Sequence, residues 1–272
     1  MLDGALGEGK VADTAMSQPG SVTGGTDDSA LGRAVWRLRS RGCWDDAAAL
    51  LAPGAEKDAY LAVERTHLLV ERAMFTGDGW APAEDALRAA ESLAGDNEER
   101  GAAACERGNL AYATTVFRGR DRSDEARVAL GRAAALLTPG SRLRPRLDFR
   151  RGLVAHHITR NAAAAQAAFK RAHEAAAAQG DALLCSFTWR HLAGLAAEDG
   201  ERAEAHKGFS ESLRIREELG YLVGIAPALA SLADVEDEEP EATRLRGEAR
   251  RLVRLLGGVP KWLADQLAQP AS

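Results

Sequence analysis

The apolar positions along this chain recur at intervals of three and four residues, which is the periodicity of α-helices. Segment 183–195 shows one such face, made of Leu183, Leu184, Phe187, His191, Leu192 and Leu195. Glycines follow these segments about every 20 residues, with one gap near Arg160, and glycine is a common helix stop because it enters the left-handed conformation cheaply. The alternation that is typical of strands is absent, so the pattern predicts an all-α chain.

The predicted helices repeat about every 40 residues, which is typical of stacked helix hairpins. A small residue followed one turn later by a second core position marks the second helix of each hairpin. The pairs are Ala47 with Leu51, Ala86 with Ala90, Ala126 with Leu130, Ala165 with Phe169, Ala205 with Phe209, and Ala242 with Arg246. The small residue allows two helices to cross closely, and the next position packs against the neighbouring helix.

The best-preserved unit runs from Leu183 to Gly220 and contains Trp189, Leu192, Ala193, Ala196, Gly200, Ala205, Phe209 and Ser212. It resembles the tetratricopeptide repeat (TPR). Over residues 28–257 the chain is more similar to the longer repeats in the sensor arms of large bacterial transcription regulators. The resemblance implies an all-α, right-handed superhelical solenoid of about six antiparallel helix hairpins with a C-terminal capping helix. It also implies a non-catalytic module that binds proteins or peptides.

The sequence predicts three regions. Residues 1–27 are rich in Gly, Ser, Thr and Asp, which predicts a disordered N-terminal tail. Residues 28–257 form the repeat domain, with hairpins predicted over 29–54, 57–95, 97–138, 141–179, 181–219 and 221–256. Residues 258–272 form a capping helix and tail, because a helix over 259–269 would place Trp262, Leu263 and Leu267 on one face.

Composition narrows the range of partners and locations. The 272 residues include 40 acidic and 35 basic side chains, giving a net charge of −5, which argues against direct nucleic-acid binding. No run of 18 apolar residues is present, so we expect no membrane partner. The three widely spaced cysteines suit a reducing compartment, and the N-terminus has no signal-peptide pattern. We therefore expect a cytoplasmic protein.

Known catalytic and cofactor motifs are absent from the sequence. Gly7-x-Gly9-Lys10 has no preceding strand and is not a phosphate-binding loop. His156 and His157 are adjacent, and adjacent residues of an α-helix point about 100° apart, so we expect no shared metal ion. His173, one hairpin arm away, is close enough in the predicted hairpin to approach one of them, but solvated or packing roles are the preferred interpretation of all three. The sequence thus predicts no catalytic residues, no cofactor and no metal.

The candidate binding site follows from the resemblance, in which the first helix of each hairpin lines a concave groove. The corresponding positions form a basic and partly aromatic surface, with Glu71 among its slots. The predicted groove residues are Arg33, Trp36, Arg72, Phe75, Tyr112, Arg118, Arg150, Arg151, His157, Arg190 and His191. Arginine binds carboxylates through two parallel hydrogen bonds, so the expected ligand is an acidic segment of a protein or peptide.

Three functions remain open at this point. The first is the non-catalytic binding module. The second is a small-molecule or peptide sensor arm that regulates a transcription partner. The third is an enzyme that uses His157, His191 or Tyr112 as acid–base groups, because a fold does not determine a function. Apolar terminal hairpins also leave open a homodimer.

Overall fold

The computed structural model describes residues 29–257 and 260–268, so the tail predicted over 1–27 lies outside the described residues. Within these ranges the chain is helical and contains no strand, and each helix packs mainly against its neighbours in sequence. The all-α, TPR-like solenoid of helix hairpins is confirmed. None of the helices in these ranges is both long and apolar enough to cross a lipid bilayer.

The described ranges contain six hairpins and one further helix. The first helices of the hairpins are α1 (Ala30–Arg39), α3 (Ala59–Thr76), α5 (Asn97–Arg118), α7 (Arg144–Leu153), α9 (Ala182–Glu198) and α11 (Leu222–Ala233). The second helices are α2 (Trp44–Ala55), α4 (Trp80–Leu93), α6 (Ser123–Leu136), α8 (Ala162–Gln179), α10 (Arg202–Glu218) and α12 (Glu239–Leu255). Helix α7 continues into a π-helical turn (Val154–Ile158), and α13 (Lys261–Ala268) packs on α11 and α12.

Polar side chains begin several of these helices. Ser29, Asn161 and Asp181 accept hydrogen bonds from backbone amides of the first turns of α1, α8 and α9. These bonds pair amides that have no partner inside the helix. Helix α5 is capped by Asp96 and Glu99 in a reciprocal capping box. The chain therefore enters its helices close to the predicted positions.

The alanine register predicted from the sequence is present in the packing. All six marker alanines are buried, from Ala47 to Ala242, and so are the residues one turn later, from Leu51 to Arg246. The helices of a hairpin approach so closely that a Cβ added at Gly152 would lie 2.5 Å from the Phe169 ring. The first helices share one face of the stack, in which α3 packs on α5 and α5 packs on α7.

The first and last hairpins also meet. The amide of Val223 donates a hydrogen bond to the carbonyl oxygen of Ser40 at 3.0 Å. Beside it the rings of Trp36 and Tyr221 stack with centroids 5.7 Å apart. Ser40 follows α1 and Tyr221 precedes α11, so this junction joins elements about 180 residues apart in the sequence. The other helix contacts of the stack are mainly between near neighbours. The face formed by the first helices is therefore closed along one side.

Candidate ligand cavity

The first helices line a half-open cavity of about 410 Å³. Helices α1, α3, α5, α7, α9 and α11 all contribute side chains to its wall. Trp44 from α2, Arg216 from α10 and Trp262 from α13 also contribute to the lining. Ligand sites in proteins typically enclose about 300–1,000 Å³, so the cavity is large enough for a small molecule or a few residues of a peptide.

One wall of the cavity is a buried ionic network that links the first four hairpins. Arg39 donates two hydrogen bonds to Glu71, from Nε at 2.8 Å and from Nη2 at 2.6 Å. His67 lies 3.3 Å from Glu71 and 3.3 Å from Glu106. Glu106 is fully buried and pairs with Arg150. In this network every carboxylate has a cationic partner.

The network shifts the pKa values of its members in a consistent way. Burial alone would raise the pKa values of Glu71 and Glu106, but the guanidinium groups of Arg39 and Arg150 and the His67 ring outweigh it and hold both well below their usual range. Burial alone would lower the pKa of His67, but the two carboxylates raise it above its usual 6.5. The charged forms are thus favoured inside the fold.

The cavity lining also contains two arginines that lack a carboxylate partner among the described residues. Arg216 is 2% exposed, donates to the carbonyl oxygen of Gly224 at 2.7 Å, and lies 5.2 Å from the Phe187 ring centroid. Arg190 lies 5.8 Å from the Trp262 ring centroid, and its buried Nε has no hydrogen-bond partner in the described part of the chain. Burial, together with the charge of Arg190, lowers the pKa of Arg216 to about 9.

Aromatic rings form another part of the cavity lining. Phe149 contacts Phe187 with ring centroids 6.1 Å apart and His191 at 5.4 Å. Tyr112 lies 6.0 Å from His157 and is almost fully buried. This part of the cavity can pack against apolar groups of a ligand, while the arginines face its charged groups.

Three histidines meet at the edge of the cavity, which corrects the expectation drawn from ideal α-helical spacing. The π-helical turn brings the rings of His156 and His157 to a centroid distance of 4.4 Å, and His191 from α9 lies 5.9 Å from His157. One ring nitrogen of each lies within 4.8 Å of the others. His173 is not part of this cluster and forms a hydrogen bond with Thr188 at 2.8 Å.

The local backbone explains how adjacent histidines come together. The Thr159 amide donates to the Val154 carbonyl oxygen five residues earlier, which widens the turn. Arg160 then ends it in the left-handed conformation, with φ of 52°. Residue 160 is where the regular series of glycines has its gap, so an arginine adopts the conformation that glycine usually supplies.

The structure brings six of the eleven predicted groove residues into the cavity lining. These six are Phe75, Tyr112, Arg150, His157, Arg190 and His191. Among them, Arg150 is 4% exposed and is neutralised by Glu106, so it is not the open cationic group that the sequence predicts.

The other five predicted residues do not line this cavity, which corrects the projected register. Arg33, Arg118 and Arg151 are exposed on their helices. Arg72 donates to Asp45 on α2 at 2.8 Å, and Trp36 stacks on Tyr221 at the junction. A shift of one residue along an α-helix changes the direction of the side chain by about 100°, which is enough to turn it away from the inner surface. The ideal helical spacing does not define the rotation of each helix about its axis in its hairpin.

Several lining or supporting residues are missed by the sequence reasoning. Glu106 sits in an alanine-rich helix, where sequence alone indicates a solvated charge, and its partner Arg150 is 44 residues away. The i,i+4 spacing of His67 and Glu71 is a local signal of the network. Arg216 belongs to a second helix and reaches the cavity from outside the face that the repeat defines.

Comparisons with known proteins find the fold but no family. No known protein-family profile matches the sequence, and no curated protein sequence matches it. Among solved structures, a Rap protein in complex with competence and sporulation factor has a TM-score of 0.60 and 14% identity, covering 85% of this chain and 67% of that chain.

Two further structures have TM-scores of 0.55. BtubC (BKLC) from P. vanneervenii is 17% identical and covers 85% of this chain and 94% of its own. Aspartyl phosphate phosphatase F from Bacillus subtilis is 12% identical and covers 77% of this chain. The chain spans about half of that phosphatase, 54% of its length. At these identities the likeness concerns the fold alone.

Proposed function

We propose that this chain is a non-catalytic helical-repeat module that binds an acidic segment of a protein or peptide, with a carboxylate held by Arg190 and Arg216. The observation that carries this proposal is a mismatch of charge inside the cavity. Three arginines of the lining are matched by buried carboxylates, namely Arg39 by Glu71, Arg146 by Glu64, and Arg150 by Glu106. Arg190 and Arg216 have no such partner among the described residues.

The unmatched arginines favour an anionic ligand on energetic grounds. Removing a guanidinium from water costs several kcal/mol, about as much as a close counter-charge returns. A ligand carboxylate at Arg190 would supply that counter-charge and could accept two parallel hydrogen bonds from the planar group. Because the carboxylate would replace water in a confined space, its attraction to the arginines would be stronger than on an open surface.

The aromatic wall supports a peptide segment over a bare anion. Phe149, Phe187 and Tyr112 present apolar surface beside the arginines. A segment with one acidic and one or two apolar side chains would use both parts of the cavity. The Rap protein of similar fold is described in complex with competence and sporulation factor, which is in line with a ligand held by this kind of repeat.

The alternative is a sensor arm that responds to a small molecule or peptide and regulates a transcription partner. The junction of the first and last hairpins favours it, because a ligand that widens the cavity would separate Trp36 from Tyr221. The change would then be transmitted to the outer surface of both end hairpins. The cytoplasmic location stays a prediction in both cases.

The proposal can be tested with two synthetic hexapeptide libraries, one with free carboxylates and one with every carboxylate amidated. Each library is passed over the immobilised full chain, and retained peptides are identified by mass spectrometry. We expect the wild type to retain acidic members with apolar neighbours and to retain little of the amidated library. Arg190→Gln should lose this retention, because it removes the unpartnered guanidinium.

The matched control is Arg151→Gln, which removes an exposed arginine of α7 that does not line the cavity. Retention by this variant should equal that of the wild type. Equal retention by wild type and Arg190→Gln would contradict the proposal, as would equal retention of the free and amidated libraries. Circular dichroism of each variant establishes that the helical fold is intact.

A further inference from the structure

We infer that His156, His157 and His191 form a binding site for a transition-metal ion of the zinc class, with an open coordination position that faces the cavity. The inference is independent of the acidic ligand proposed above. It rests on the convergence of three imidazoles from two elements, the π-helical turn and α9, with one ring nitrogen of each within 4.8 Å of the others.

The hydrogen bonds of His156 leave one nitrogen ready for a metal. Its Nε2 lies 3.1 and 3.2 Å from the two carboxylate oxygens of Glu198. A carboxylate only accepts, so Nε2 carries the proton and donates it, which makes Nδ1 an unprotonated acceptor. Nδ1 is buried and has no hydrogen-bond partner in the described part of the chain. A metal ion would satisfy this lone pair.

The pairing of His156 with Glu198 is also the arrangement that supports metal-binding histidines elsewhere. A ligating histidine typically donates its second ring nitrogen to a carboxylate, which fixes the ring and strengthens it as a ligand. His206 makes a comparable pair with Glu236 at 3.2 Å but has no further histidine beside it. The chain therefore contains an internal control for the site.

The backbone around the site is distorted where the two adjacent ligands lie. The π-helical turn puts His156 and His157 on one side, which a regular α-helix would not do. Arg160 adopts a left-handed conformation that costs a non-glycine residue about 1–3 kcal/mol. Such turns are frequent at functional sites.

The ligand set indicates the class of metal. Imidazoles favour zinc, copper, nickel and related ions, whereas magnesium and calcium prefer oxygen ligands. In tetrahedral zinc sites the metal–nitrogen distance is about 2.0–2.1 Å, which places ligand nitrogens about 3.3 Å apart. Binding would draw the rings together by up to about 1.5 Å, within reach of side-chain rotation.

Charged groups near the site favour an anionic fourth ligand. Arg190 and Arg160 add positive charge around His157, and the carboxylate of Glu198 offsets part of it. His157 and His191 line the cavity, so the remaining coordination position is open to water or to an anion there. An anionic fourth ligand, hydroxide or carboxylate, would balance the charge of the metal and the arginines together.

The test is calorimetric titration of the chelator-treated full chain with ZnCl2, followed by the same titration with MgCl2. We expect saturable binding of about one zinc ion per chain and none of magnesium. His157→Ala and His191→Ala should each weaken zinc binding by more than about 10-fold, and Glu198→Gln by about 10–100-fold. His206→Ala is the matched control and should bind as the wild type does.

A second measurement on the wild type keeps the test decisive where a variant does not fold. X-ray absorption of the zinc-loaded chain should count three imidazole nitrogens and one further light atom at about 2.0–2.1 Å. The inference is overturned by the absence of saturable zinc binding, by affinity unchanged in His191→Ala, or by a first shell that contains sulfur from the cysteines.

Discussion

Arg39 on the first hairpin and Glu71 on the second are joined by two parallel hydrogen bonds of 2.8 and 2.6 Å. Both side chains are largely buried, with 5% and 15% of their side-chain surface exposed. The pair continues through His67 to Glu106 and Arg150, so ionic contacts cross the hairpin interfaces from α1 to α7. Helical repeats are usually held by apolar contacts between neighbours, and here a polar network runs beside them.

The first prediction compares two adjacent arginines that the sequence treats as equivalent. Arg150→Ala should lower the free energy of unfolding by about 3–5 kcal/mol, because it leaves the Glu106 carboxylate buried without its guanidinium. Arg151→Ala removes an exposed side chain and should change the stability by less than about 0.5 kcal/mol. Urea denaturation at pH 7, followed by circular dichroism, measures both. Similar midpoints for the two variants would contradict the buried pair.

The second prediction concerns the pH dependence of stability. The pKa of His67 is higher in the folded chain than its usual 6.5. Its contribution to the free energy of unfolding is therefore complete below about pH 6.5 and is lost as the pH rises through the folded-state pKa. The lowered pKa values of Glu71 and Glu106 act in the opposite direction, so their contribution is present above about 4.5 and is lost at lower pH. The network should stabilise the fold most between about pH 4.5 and 6.5.

A His67→Gln variant isolates the histidine part of this dependence, because glutamine does not titrate. The free energy of unfolding of the wild type should decline from pH 6.5 to 9 more steeply than that of the variant. Urea titrations at half-unit intervals provide the two curves. Parallel curves over this range would show that Glu71 and Glu106 do not stabilise the protonated form of His67 in the fold.

The third prediction tests the close helix crossings. Ala205 is fully buried between α10 and α9, so Ala205→Leu should destabilise the chain by about 1–3 kcal/mol through overpacking. Phe209→Ala should lower the free energy of unfolding by about 3–5 kcal/mol, because Phe209 is only 7% exposed. Val128→Ala is the control, since Val128 is 70% exposed. Thermal unfolding measures the stability of the three variants. A different order of destabilisation would contradict the register in which Ala205 and Phe209 lie at the helix crossing.

The fourth prediction concerns the junction of the end hairpins. Trp36→Ala removes the ring that stacks on Tyr221 and should weaken the hydrogen bond from Val223 to Ser40. The amide of Val223 should then exchange with solvent at least several-fold faster, as native-state hydrogen exchange measures. Leu31→Ala, at an exposed position of the same helix, should leave that rate unchanged. An unchanged Val223 rate in Trp36→Ala would mean that the stack does not hold the junction closed.

The sequence predicts the fold well because the determining contacts are local and repeated. Ala47 and its equivalents recur at nearly constant intervals, and each lies in a helix crossing within one hairpin. The glycine series likewise locates the turns. At the gap in this series Arg160 takes the left-handed conformation in place of a glycine. Local periodicity is enough to define such features.

The cavity is predicted less well because its geometry depends on contacts that are distant in sequence. Arg150 and Glu106 pair across 44 residues, and no periodicity distinguishes a buried glutamate from a solvated one. The π-helical turn at His156 adds one residue to a helix without a sequence marker. The candidate groove therefore shares Phe75, Tyr112, His157 and His191 with the cavity lining, but it includes Trp36, which packs on Tyr221 instead. It also treats Arg150 as an open cation although Glu106 compensates it.

The contact between Ser40 and Val223 changes how this stack should come apart. In an open array of repeats the terminal units fray first, because each has a neighbour on one side only. Here each terminal hairpin also protects the other, so neither end can fray while the junction holds. The first and sixth hairpins should accordingly unfold as one cooperative unit, although they lie at opposite ends of the repeat sequence.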